Sequence, residues 1–135
     1  MGEGSKKTGI VDFSDTFTLY YNERYPEATV DKIDDFIEHV ESNGLFGWIG
    51  KVSPSDRVPE NYPNREETIA YARNNKLWHA HIGDPCFEDK PHGKFKTSAW
   101  VIHFQKHHNY HIKLLELDLH NPMKLPSEEN INGFT

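Results

Sequence analysis

Apolar positions along the chain recur first with a helical period and later with an alternating one. In VDFSDTFTLYYNERY, Phe17, Tyr20, Tyr21 and Arg24 share a face at i, i+3, i+4 and i+7, with Ser14 placed to cap a helix that Pro26 ends. A second helix is expected from a cap at Thr29. Its stripe is Ile33, Phe36, Ile37 and Val40, with Asp31 in the first turn and Gly44 as the stop. The two helices are expected to form a hairpin. LFGWIGKVSPSDRVPENYPN reads as a short apolar piece over residues 45–49 and then as loop, because prolines, glycines and asparagines interrupt any period. Asn64 opens N-R-E-E, a capping-box pattern with Glu67, which predicts a short helix to about Arg73 with Ile69, Ala70 and Tyr71 turned inward.

Beyond that point the period changes to two. LWHAHIGD sets Trp78, Ala80 and Ile82 against His79 and His81, the pattern of a strand with one buried and one accessible face. Residues 84–96 carry prolines, a glycine and charges of both signs, and read as a long surface connection. TSAWVIHFQK alternates again, with Trp100, Ile102 and Phe104 on one side and Val101, His103 and Gln105 on the other. YHIKLLELDLH is apolar on both sides at its centre, as an interior strand is, and His120 stands at its end. The tail from Met123 has only a weak pattern. The expectation is an α+β domain, an N-terminal helical hairpin packed on an antiparallel β-sheet, with residues 1–9 a flexible lead and residues 10–135 a single domain.

At 135 residues the chain is long enough to bury a core without staples, and its single cysteine, Cys86, excludes an internal disulfide. No apolar run approaches the roughly 20 residues that cross a bilayer, and MGEGSKKTG lacks the apolar region of a signal peptide, so a cytoplasmic location with no membrane partner is expected. The net charge of -6 argues against a simple nucleic-acid binder, but the charge is uneven. Residues 1–47 hold four Lys/Arg against ten Asp/Glu, residues 48–106 nine against seven, and residues 107–135 two against four. An acidic front and a mildly basic centre leave one region able to receive an anion.

That centre also carries the candidate chemistry. If both tryptophan-bearing faces point into the core, His79, His81 and His103 fall on one side of two neighbouring strands, and His120 closes the group from a strand end. Imidazoles transfer protons near neutrality because their unperturbed pKa is about 6.5. A base, an acid and positive charge at the phosphorus are what cleaving a phosphodiester without metal requires. His79 or His81 is expected to work against His103 or His120, with base and acid unassigned. Lys51 and Arg57 in the loop are candidate phosphate contacts, as are Arg65 and Arg73 on the exposed side of the short helix. Trp48, Tyr62 or Trp100 could stack on bases.

WHAHIGD, SAWVIHF and IKLLELDLH, standing in that order after two helices, resemble the strands of the RelE/ParE toxin superfamily, and within it the YafO-like branch. The resemblance implies the toxin of a type II toxin–antitoxin system: a ribosome-dependent mRNA endonuclease, without cofactor, held inactive by a cognate antitoxin protein. It places His79 and His81 where relatives carry strand cations, His103 where they carry a tyrosine, and His120 at the histidine near the sheet's end. Trp100 stands where many relatives have an arginine.

Two other readings use the same residues. His-x-His on one strand with a third histidine on the next can hold zinc with an open position for water, as in a hydrolase. Alternatively the domain acts by binding alone, which the tryptophan at position 100 favours. Nucleophilic catalysis by Cys86 is not expected, since it lies between Pro85 and Phe87 without an evident partner.

Overall fold

A computed structural model describes residues 8–89, 95–121 and 123–132. The expected flexible lead therefore lies largely outside the described residues. Thr8 and Gly9 are held, both donating their amides to the Glu41 carbonyl. The fold is α+β: the described residues form a five-stranded sheet in the order β1-β5-β4-β3-β2 and four helices. The strands are β1 (Ile10–Phe13), β2 (Val52–Pro54), β3 (Leu77–Asp84), β4 (Trp100–His108) and β5 (His111–Leu119). The helices are α1 (Asp15–Glu23), α2 (Glu27–Asn43), α3 (Arg65–Asn74) and α4 (Glu128–Asn132).

The sheet is mixed, not antiparallel throughout. β1 pairs parallel to β5, with Ile10 opposite His111, while the other three pairings are antiparallel. Neither edge strand was expected: β1 has four residues and β2 three, too short for alternation to stand out. β2 includes Pro54, which an edge tolerates because it need not donate on both sides. β5 is interior, as its two-sided apolar centre requires. A register shift between His103 and Phe104 sets them opposite Glu116 and Leu114, leaving Leu115 as the extra residue. Leu114 and Leu115 are thereby buried in separate clusters on the two faces.

On one face Ala80, Ile82, Ile102, Phe104, Ile112 and Leu114 pack under Phe17 of α1 and Ile33, Phe36 and Val40 of α2. Ser14 caps α1 as expected, its hydroxyl accepting from the Phe17 amide at 3.1 Å. Pro26, not Thr29, precedes the first turn of α2. Thr29 lies inside the helix and donates to Asp84 Oδ2 at 3.1 Å. Gly44 ends the helix at φ +69°, where an added Cβ would come within 2.6 Å of the Tyr110 ring. α1 lies against β5 and α2 against β1 and β3, so each helix is seated chiefly on the sheet and no helical hairpin is established.

On the other face α3 and α4 contribute Ala72 and Ile131 to a smaller cluster with Leu77 and Leu115. The expected capping box of α3 does not form. Asn64 adopts a left-handed conformation at φ 52° and its side chain makes no cap bond. The inward phase is also displaced: Ala72 is buried, Ala70 is exposed and Tyr71 is half-buried, its hydroxyl donating to the Pro126 carbonyl at 2.6 Å. Both faces of the central sheet are therefore covered.

Candidate functional site

The alternation of β3 and β4 does place His79, His81 and His103 on one face, opposite the main core. His79 and His103 are direct register partners, with ring centroids 6.1 Å apart. Of the two tryptophans, Trp78 packs on the core and Trp100 does not join it, while Ile102 and Phe104 do. His120 lies one residue past β5, and its amide donates at 2.8 Å to the carbonyl of Ala99, the residue before β4. Its ring is 4.8 Å from that of His81 and 5.6 Å from that of His79. The four imidazoles expected to meet do meet.

Their surroundings differ from the expected wetted face. His79 is 9% exposed, His81 3% and His103 0%. Burial pushes the His79 pKa down to about 3, helped by the neighbouring His103, His120, His81 and Lys51. Burial likewise holds His103 at about 4, with Asp118 pulling upward and His120 downward. Both are neutral at physiological pH, so neither can serve there as a protonated acid. This corrects the premise that all four titrate near neutrality, because the sequence pattern does not show that α3, α4 and the segment after β2 cover this face.

Each histidine has a distinct position. Neither ring nitrogen of His103 has a hydrogen-bond partner among the described residues, and with no exposed surface its ring cannot touch a substrate. His103 is thus a buried neighbour of the site. His81 Nδ1 is held against the Ser98 backbone, 2.8 Å from its amide nitrogen and 2.9 Å from its carbonyl oxygen. His79 Nδ1 lies 2.9 Å from the Ser55 hydroxyl. Ser55 and Ser98 were not anticipated. Each approaches its histidine through tertiary structure, Ser55 by way of the unexpected β2, and no local motif marks either one.

His79 and His120 open onto a cavity of about 290 Å3 whose walls include Lys51, Arg57, Val58 and Tyr62. Lys51 and Arg57 thus share a cavity with the two imidazoles. Arg65 and Arg73 do not line it. Arg65 Nε donates to the Val58 carbonyl at 3.1 Å, and Arg73 Nε pairs with Asp56 Oδ2 at 2.9 Å. Both fasten the segment between β2 and α3. Of the candidate stacking residues, Tyr62 is at the cavity and 40% exposed. Trp48 is buried in the core, its Nε1 donating to the His81 carbonyl at 2.8 Å.

Among the described residues no group of three or more His, Cys, Asp or Glu side chains has the geometry of a metal site, so the three-histidine zinc arrangement is not formed. No helix among them is long and apolar enough to cross a membrane. Comparisons of the chain with protein-family models, with curated proteins and with solved structures find no match.

Proposed function

We propose that the chain is an endoribonuclease whose acid/base pair is His79 and His120, and that it is the toxin of a toxin–antitoxin pair that cuts mRNA on the ribosome. The observation that carries the nuclease reading is the cavity itself: two imidazoles with centroids 5.6 Å apart, one neutral by burial, beside a lysine and an arginine. The toxin and ribosome parts rest on the likeness of the three strand motifs to RelE/ParE toxins.

In this reading His79 Nδ1–H donates to the Ser55 hydroxyl, which leaves Nε2 with a lone pair for the 2′-hydroxyl proton. The 2′-oxygen attacks phosphorus, and a 2′,3′-cyclic phosphate forms as the bond to the 5′-oxygen breaks. His120, protonated, supplies the proton to that oxygen. Lys51 and Arg57 hold the non-bridging oxygens and stabilise the added charge at the transition state. His81 and His103 shape the pair from behind, since imidazoles packed against His79 keep it neutral.

The test is translation of a defined mRNA in a bacterial extract with added protein, with cuts mapped by primer extension. Cuts on translated message that vanish with His79→Gln and with His120→Gln are expected. Uncut message with correctly folded wild-type protein overturns the reading.

A further inference from the structure

His120 is a wall of two cavities. Besides the cationic one shared with His79, it lines a second of about 260 Å3 with His81, Glu88, Ser98, Ala99 and Leu119. The two differ in charge. Among the described residues no lysine or arginine lines the second, and its one carboxylate belongs to Glu88. The Glu88 carboxylate repels phosphate and favours a neutral group carrying N–H donors. Glu88 is exposed at the rim, but its backbone is fixed: its amide donates to the Thr97 carbonyl at 2.7 Å and the Thr97 amide returns a bond at 2.9 Å. Ala99 and Leu119 add apolar surface, and Leu119 is 37% exposed, in reach of a flat ring.

Resting on the nuclease reading above, we infer that this second cavity is a base-recognition subsite that takes a guanine next to the cut phosphate, with Glu88 as its reader. A carboxylate accepts two parallel hydrogen bonds, and among RNA bases guanine alone offers adjacent N1–H and N2–H donors on its pairing edge. Adenine sets an acceptor beside its amino group, and uracil sets a single N–H between two carbonyls. With the phosphate held at Lys51 and Arg57 and His120 between the cavities, the chain of one nucleotide leads into the cationic cavity and the base of its neighbour into the Glu88 cavity.

Two measurements test this. Cut sites on a message containing all sixteen dinucleotides are mapped for the wild type, Glu88→Gln and Glu88→Ala. In parallel, guanosine and adenosine 5′-monophosphates are titrated against the full chain while the backbone amide resonances of Ala99 and Leu119 are followed. Expected are cuts beside guanosine favoured on the order of tenfold or more, flattened in both variants, and shifts at Ala99 and Leu119 with the guanosine nucleotide that Glu88→Ala abolishes. Cutting without a guanosine preference, or with one that survives Glu88→Ala, overturns the subsite and leaves the nuclease reading standing. Guanosine-specific shifts without cutting of any message uphold the subsite and overturn the nuclease reading. Neither cutting nor shifts overturns both.

Discussion

His79 and His103 face each other across β3 and β4 as register partners, 6.1 Å between ring centroids, yet only His79 reaches a cavity. The sheet brings together imidazoles that burial then separates into different roles. Each of the two costs the folded state something in acid, because neither can be charged where it sits without losing its hydration.

Stability is therefore expected to fall as the solution is acidified. In the unfolded chain both imidazoles take up protons at about pH 6.5, whereas in the folded protein they do so only at about 3 for His79 and about 4 for His103. The stabilising difference is whole above pH 6.5 and is lost as the pH drops from there towards 4. Urea unfolding should give a free energy lower at pH 5 than at pH 7 by on the order of 3 kcal/mol. His103→Leu removes one of the two groups and should roughly halve that loss. An unchanged slope in the variant would show that His103 is charged, or hydrated, in the native state.

The same variant separates position from chemistry. His103 has no exposed surface and, among the described residues, no hydrogen-bond partner to lose, so His103→Leu should retain RNA cleavage within a few-fold of wild type and match or exceed its stability at pH 7. His79→Gln and His120→Gln should each lower single-turnover cleavage by roughly 10²–10⁴-fold, the range for an acid or base. A loss in His103→Leu as deep as in His79→Gln would return His103 to the reacting pair.

The four basic residues should divide two and two. Lys51→Ala and Arg57→Ala each remove a cation from the cavity wall and should lower the salt dependence of RNA binding by about one phosphate contact. Arg65→Ala and Arg73→Ala should leave that slope unchanged. Arg73 is 68% exposed in its pair with Asp56, so its loss should alter stability by under about 1 kcal/mol. Filter-binding titrations over a range of salt concentrations read all four.

What the sequence discloses here follows from the length of each pattern. The eight residues of β3 and nine of β4 were long enough for period two to assign their histidines to one face, and Gly44 announced the end of α2. β1 and β2, at four and three residues, exist through their pairing with β5 and β3 and carry too few positions to show a period. The local chemistry of Thr29 and Asn64 suggested caps, but Pro26 starts α2 earlier and the backbone of Asn64 turns left-handed. The buried state of the histidine face was hidden for a related reason. It depends on Ile131 and the segment around Ser55, both remote in sequence from His79, and on Ala72, which the expected inward phase of α3 left out.

Gly50 offers the sharpest test of how the site is held. An added Cβ there would lie 2.0 Å from the His81 carbonyl oxygen and 2.8 Å from Trp48 Nε1, the two atoms that bond each other across the core. Neither can retreat cheaply: the carbonyl belongs to β3, and the indole is packed against Phe36, ring centroids 5.1 Å apart. Gly50→Ala must push β2 away from β3 or break the buried indole bond. A destabilisation of about 2 kcal/mol or more in urea unfolding is expected. Because Lys51 follows directly and Ser55 reaches His79 from just beyond β2, cleavage should decline even at temperatures where the variant remains folded. A variant as stable and as active as wild type would mean that the approach of Gly50 to His81 does not hold the cavity wall in place.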